Sequence, residues 1–187
     1  EIQAAIDALP LPIAAASSSG GGRVALSEGG FHTSAPIVIS SSNVILSGQG
    51  GWSWWGDAAT HIYNSENAPV DNAVIILNSP DETTRLSGIV LEKFKIIGHG
   101  KDSGLANTHG IWARRNISGS LIQEVTVVQM GGDAFRWYQD LPGAGGTSLF
   151  GDRFIRTWAE NNGGADYRVD STGVAGGHAE EPTFIDV

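Results

Sequence analysis

The segment from Leu121 to Val169 shows the same short strand pair twice, and this repetition constrains the fold more than any other feature of the chain. Val125-Thr126-Val127-Val128 is followed by Gly131-Gly132 and then by Asp133-Ala134-Phe135-Arg136-Trp137. Phe154-Ile155-Arg156-Thr157-Trp158 is followed by Asn161-Asn162-Gly163-Gly164 and then by Ala165-Asp166-Tyr167-Arg168-Val169. Upstream, Phe94-Lys95-Ile96-Ile97 precedes a polar turn and Gly110-Ile111-Trp112-Ala113-Arg114; downstream, Phe184-Ile185-Asp186-Val187 opens a further copy. With Phe94, Val125, Phe154 and Phe184 taken as equivalent, the steps are 31, 29 and 30 residues. β-rich units of this length cannot bury an apolar face alone and must stack on their neighbours. The expectation is an all-β solenoid.

Composition narrows the function classes. The 187 residues suffice for one domain with a substantial core. Its 26 glycines and short apolar runs favour many brief strands over long helices. No apolar run approaches the roughly 18 residues of a membrane span. A formal charge of −9 argues against a general nucleic-acid binder, which needs a broad basic surface. Eight arginines stand against three lysines, so the cations are mostly the planar, forked kind that grips carboxylates. Cysteine is absent, so there is no disulfide framework. The chain lacks an initiator Met and stops inside a strand, which reads as a processed or truncated sequence with further coils to follow.

At the N-terminal end, Ile2, Ala5, Ile6 and Leu9 lie at near-helical spacing, closed by Pro10 and Pro12. Residues 1–12 are expected to cap the core with a short amphipathic helix. After the Ala/Ser/Gly loop come Arg23-Val24-Ala25-Leu26, the turn Glu28-Gly29-Gly30, and the strands Ile37-Val38-Ile39 and Val44-Ile45-Leu46. Together with Ile2-Gln3-Ala4-Ala5-Ile6-Asp7-Ala8-Leu9 and Asn43-Val44-Ile45-Leu46-Ser47-Gly48, these residues resemble the opening of the pectate-lyase-like right-handed parallel β-helices. That superfamily includes polysaccharide lyases, glycoside hydrolases and phage tailspikes. The resemblance implies a right-handed, single-stranded parallel β-helix with a short N-terminal capping helix. On that plan residues 13–50 are the first coils, 51–73 a Trp-rich irregular insertion around Trp52, Trp54 and Trp55, and 74–187 regular coils of one domain. The three tryptophans are either a sugar-stacking platform or a plug over the first coils.

Alternation along strands divides side chains between two faces. Ile111, Phe135 and Tyr167 align, as do Ala113, Trp137 and Val169; both sets are expected to point inward. The outward rows are then Gly110, Ala134 and Asp166; Trp112, Arg136 and Arg168; and Arg114, Tyr138 and Asp170. Trp112, Arg114, Arg136 and Tyr138 form the candidate substrate-binding patch, since guanidinium forks pair with carboxylates and aromatic faces stack on sugar rings. The alternative is a solvated sheet face held by cross-strand Arg–Asp and Arg–aromatic pairs. Arg156 falls on the core side if Ile96 and Val127 are aligned, so either the register shifts there or Arg156 is paired.

For catalysis the sequence offers an incomplete set. Glycoside hydrolysis needs two carboxyl groups about 5–9.5 Å apart, and Asp166 and Asp170 on one strand lie roughly 13 Å apart. Glu160 and Glu180 are candidate partners. The resemblance implies lyase chemistry in which an arginine, Arg168 or Arg136, is the base and aspartates, Asp166 and Asp170, hold Ca2+. Two carboxylates so separated do not make a calcium site without further ligands. His99 and His109 flank a long turn and read as solvated side chains, with acid/base work the alternative. Asn116-Ile117-Ser118 is a glycosylation sequon. The expected partner is an acidic polysaccharide outside the cell, on a cell surface or on a virion. A carbohydrate-active enzyme, a tailspike or adhesin assembling as a trimer, and a structural subunit joined end to end are the three classes this leaves.

Overall fold

The computed structural model describes residues 1–10, 20–51, 58–64, 72–80, 84–100, 102, 108–138, 148–149, 151–170, 178–179 and 183–187. In chain order they form helix α1 (Ile2–Asp7) and strands β1 (Gly22–Ala25), β2 (Gly29–Thr33), β3 (Ile37–Ile39), β4 (Val44–Ser47) and β5 (Thr60–Asn64). Next come β6 (Asn72–Asn78), β7 (Leu86–Ser87), β8 (Val90–Ile97), β9 (Thr108–Arg115), β10 (Ile117–Ser118) and β11 (Leu121–Val128). The last are β12 (Phe135–Tyr138), β13 (Ser148–Leu149), β14 (Arg153–Ile155), β15 (Trp158–Glu160), β16 (Tyr167–Asp170), β17 (His178–Ala179) and β18 (Thr183–Ile185).

The fold is all-β with parallel sheets. One sheet runs β1-β4-β8-β11-β14-β18, with β5 also beside β8, β2 beside β5, and β15 beside β11. A second runs β3-β6-β9-β12-β16, and β7–β10 and β13–β17 make two short pairs. Parallel register places like residues side by side. In the second sheet Ile37, Ile75, Ile111, Phe135 and Tyr167 follow one another across five strands. The adjacent column is Ile39, Leu77, Ala113, Trp137 and Val169. In the first sheet Val24, Leu46, Leu91, Ile122, Phe154 and Phe184 do the same. Phe31, Ile62, Ile96, Val127 and Ala159 form a further column. Most of these side chains form one buried cluster. Each Ile, Leu or Phe so buried contributes about 1.5–3 kcal/mol relative to exposure. The rings pack specifically: Phe135 stacks on Tyr167 at 4.9 Å, Phe154 on Phe184 at 5.0 Å, and Trp137 meets Phe154 edge-on at 4.8 Å.

Helix α1 follows its amphipathic pattern, with Ile2 and Ile6 buried in the same core. Its Gln3 side chain acts as a substitute strand at the β3 edge. Nε2 donates to the Val38 carbonyl at 3.1 Å, and Oε1 accepts from the Val38 N–H at 2.7 Å. An edge that would otherwise present an unpaired donor and acceptor is thereby satisfied.

Corners between strands are set by left-handed residues lying side by side. Gly21, Asn43, Gly88, Gly119 and Gly151 all have positive φ, and each precedes its strand at the same register position. Glycine and asparagine suit this column because a Cβ in that conformation crowds the backbone. A second left-handed column is Lys93, Glu124, Arg156 and Asp186. None is glycine, so each carries about 1–2 kcal/mol of strain. Charges alternate along it, and Arg156 pairs with Glu124.

This column corrects the alignment of the repeats. Phe94 does pair with Val125, and Phe154 with Phe184. Phe154, however, pairs with Ile122 rather than taking the place of Val125. The chain bends at Arg156 and resumes as β15, where Trp158 opposes Thr126. The bend turns Arg156 to the surface, where it meets Glu124. Two further segments differ from their expected state. Gly29-Gly30 belongs to strand β2 rather than to a turn, and Thr60–Asn64, within the stretch read as irregular, is strand β5.

Candidate functional site

The predicted site lies on the outward side of the second sheet. Its central row is Val38, Ile76, Trp112, Arg136 and Arg168, in register on β3, β6, β9, β12 and β16. Arg136 therefore stands beside both Trp112 and Arg168. Tyr138 and Asp170 are backbone partners at the end of β12 and β16, but their side chains lie outside the described residues.

Alternation assigns Trp112 correctly to the outward face, yet the ring is not an open platform. It is 3% exposed and packs with Ala73, Ile76 and Val38 in a small apolar cluster of its own. The guanidinium carbons of Arg114 and Arg136 each lie 4.5 Å from its ring centroid, so the indole is sandwiched between two cations. His109 meets it edge-on at 5.5 Å. Trp112 thus orients Arg114 and Arg136 rather than offering its own face to a sugar.

Arg136 is anchored further. Its Nη1 lies 2.8 Å from His109 Nε2 and 3.4 Å from Asp133 Oδ2. Nδ1 of the same ring accepts from the Asp133 backbone N–H at 2.8 Å and lies 3.5 Å from Asp133 Oδ2. Asp133 Oδ1 accepts from the Ala165 N–H at 2.9 Å. A glycine precedes Ala165 for a steric reason: a Cβ on Gly164 would sit 2.4 Å from Asp133 Oδ1. Asp133, His109 and Arg136 thus form one cluster in which the buried carboxylate balances the guanidinium directly. His109, expected as a solvated turn residue, is instead buried at its centre. Strand β9 begins before the turn reading allowed and carries His109 under Arg136.

The outermost expected row is also revised. Ala134 is buried in the core cluster, and a Cβ on Gly110 would meet Val127, so both face inward. Only Asp166 of that row is exposed, and its Oδ1 accepts from Asn162 Nδ2 at 3.0 Å. Arg168 is exposed two residues along the same strand. Between them Tyr167 is half-buried; burial pushes its hydroxyl pKa up, and the negative charge of Asp166 adds to this against the Thr157 hydrogen bond. Among the described residues no three His, Asp or Glu side chains converge on one point. Asp166 is engaged by Asn162, and the Asp170 side chain lies outside the described residues. Glu180, Trp52, Trp54 and Trp55 lie outside the described residues. His99 is exposed. Asn116 of the sequon is 5% exposed with φ +48°.

No family model and no curated protein matches the chain. Among solved structures, it is similar to ORF18 of Geobacillus virus E2, with a TM-score of 0.68 and 23% identity. The match covers 99% of this chain and 37% of that protein, so the chain spans little more than a third of its length. The likeness is one of fold.

Proposed function

We propose that the chain is a section of a right-handed parallel β-helix on the pectate-lyase-like plan that binds an acidic polysaccharide outside the cell. The columns of register partners and the left-handed corners support the helical reading. The handedness rests on the rule that crossovers between parallel strands of one sheet are right-handed in about 98% of cases. The observation that carries the binding reading is the in-register pair Arg136 and Arg168, on one outward face of adjacent parallel strands. Cα positions there are separated by roughly the 4.8 Å strand spacing. Guanidinium forks on adjacent strands can grip the carboxylates of a ligand lying across both. A polymer with a carboxylate on each ring supplies such anions in series. Arg136 is preset for the task by Trp112, His109 and Asp133, and Arg168 is the exposed member.

Binding without cleavage is the form this reading takes. A virion setting, as a tailspike or adhesin, is favoured over a free enzyme by the likeness in fold to a viral protein. The test is a panel of uronic-acid polymers, followed by calorimetry and by the near-ultraviolet absorbance of unsaturated product. Saturable, salt-sensitive binding that Arg168→Ala weakens, with no unsaturated product, is expected. Binding unaffected by Arg168→Ala refutes the site, and release of unsaturated ends refutes the non-catalytic form.

A further inference from the structure

A different outward face carries a row that the site above does not use. On the first sheet Gly30, His61, Lys95, Thr126 and Trp158 are register partners across β2, β5, β8, β11 and β15. The parallel row two residues on is His32, Tyr63, Ile97, Val128 and Glu160. At one end, Tyr63 stacks on His32 at 4.8 Å and on His61 at 5.7 Å, all three rings nearly parallel. Gly30 makes the room: a Cβ there would lie 2.8 Å from the Tyr63 ring. At the other end, Trp158 is half-exposed, with Nε1 3.4 Å from Glu160 Oε2. Between them stand Lys95 and Thr126, whose Oγ1 is buried without a hydrogen-bond partner. Beyond His32 the row opens into a groove of about 380 Å³ beneath α1, lined by Gln3, Phe31, His32, Thr33, Ser34 and Pro36.

We propose that this face is a second binding surface, taking a short run of acidic sugar rings between the His32–Tyr63 stack and Trp158. The inference rests on the polysaccharide-binding reading above and names a separate surface for the same ligand class. Three strand spacings separate β5 from β15, roughly 14 Å. A chain of a few sugar rings spans that distance, with the His32–Tyr63–His61 stack at one end and Trp158 at the other. Lys95 lies between the two platforms and meets a ring carboxylate.

The test uses the full chain and oligomers of galacturonate, guluronate and glucuronate, with a neutral maltose oligomer as control. Trp158→Ala and Tyr63→Ala should each weaken oligouronate binding by about tenfold, and Lys95→Glu should lower the acidic-over-neutral preference. Trp158→Phe should keep binding but lose the change in tryptophan fluorescence that wild type shows, which separates a lost contact from a lost fold. If Arg168→Ala weakens binding while Trp158→Ala, Tyr63→Ala and Lys95→Glu bind like wild type, this second surface is refuted and the first stands. If these three weaken binding and Arg168→Ala does not, the first site falls and the second survives. If no oligouronate binds the wild type, both are wrong.

Discussion

Asp152 offers the sharpest test of how the core is held, because a charged group sits almost out of solvent with a countable set of partners. It is 2% exposed. Oδ1 accepts from the Ser120 N–H at 2.7 Å and Oδ2 from Trp137 Nε1–H at 2.9 Å. Its backbone carbonyl receives the Thr183 N–H at 3.0 Å, so one residue ties β12, the approach to β11 and the start of β18. Asp152→Ala leaves two buried donors without acceptors. At about 1–3 kcal/mol each, the loss is about 2–6 kcal/mol, reduced by the relief of no longer burying a charge. Asp152→Asn supplies one oxygen but turns an NH2 group on the second donor, and should fall between alanine and wild type. Urea denaturation followed by circular dichroism measures both. An alanine variant within about 0.5 kcal/mol of wild type would show that neither bond matters to the fold.

The same residue fixes the sign of a pH effect. Burial raises the Asp152 pKa, and the hydrogen bonds from Ser120 and Trp137 offset this only in part. Its folded value therefore lies above the unfolded value of about 3.9. Between the two, the folded state holds more protons than the unfolded one, so stability rises as pH falls. This contribution is complete below the unfolded value and lost as pH rises through the folded one. Wild type should gain on Asp152→Asn across that window, and a gap independent of pH would contradict the assignment.

Other substitutions probe the remaining assignments. Phe135→Ala removes a fully buried ring stacked on Tyr167 and should cost about 3–5 kcal/mol in a denaturant titration. Trp112→Ala should cost a similar amount, about 3–5 kcal/mol, whereas a surface platform would lose little stability; the melting temperature distinguishes the two. At the left-handed corner, Arg156→Gly should exceed Arg156→Ala in stability by about 1 kcal/mol, because both lose the pair with Glu124 and only alanine keeps a Cβ at φ +48°.

The repeat was legible because it is written in local alternation. Ile111, Phe135 and Tyr167 are each followed by a residue of the opposite face, so the inward column can be aligned without coordinates. Alternation says which way a side chain points and nothing about what covers it. Trp112 is the case in point: it faces outward, yet Ala73, Ile76 and two guanidinium groups bury it. Arg156 escaped for another reason. A left-handed corner filled by glycine or asparagine announces itself, as at Gly88 or Asn43, while one filled by Lys93, Glu124, Arg156 and Asp186 reads like ordinary strand. Its only trace is the alternation of charge from one repeat to the next, visible once the repeats are aligned with Phe154 against Ile122.

The same limit explains the second face. Trp158 and Lys95 are 63 residues apart in sequence (158 minus 95) and meet only through Thr126 on the strand between them. Tyr63 enters the row through β5, a five-residue strand lying in a stretch whose flanks carry turn signals. In a parallel sheet a site is assembled across strands, one residue from each, so its chemistry is invisible to any window shorter than a full repeat. It also follows that an error in the register of one strand removes that strand's member from the row. Shifting β15 by one residue would turn Trp158 inward and Ala159 outward. The burial of Thr126 between Lys95 and Trp158 therefore tests the register. A Thr126→Val variant should fold at least as stably as wild type by urea denaturation, because that hydroxyl is buried without a hydrogen-bond partner and valine keeps the shape; a loss of more than about 1 kcal/mol would place the side chain elsewhere.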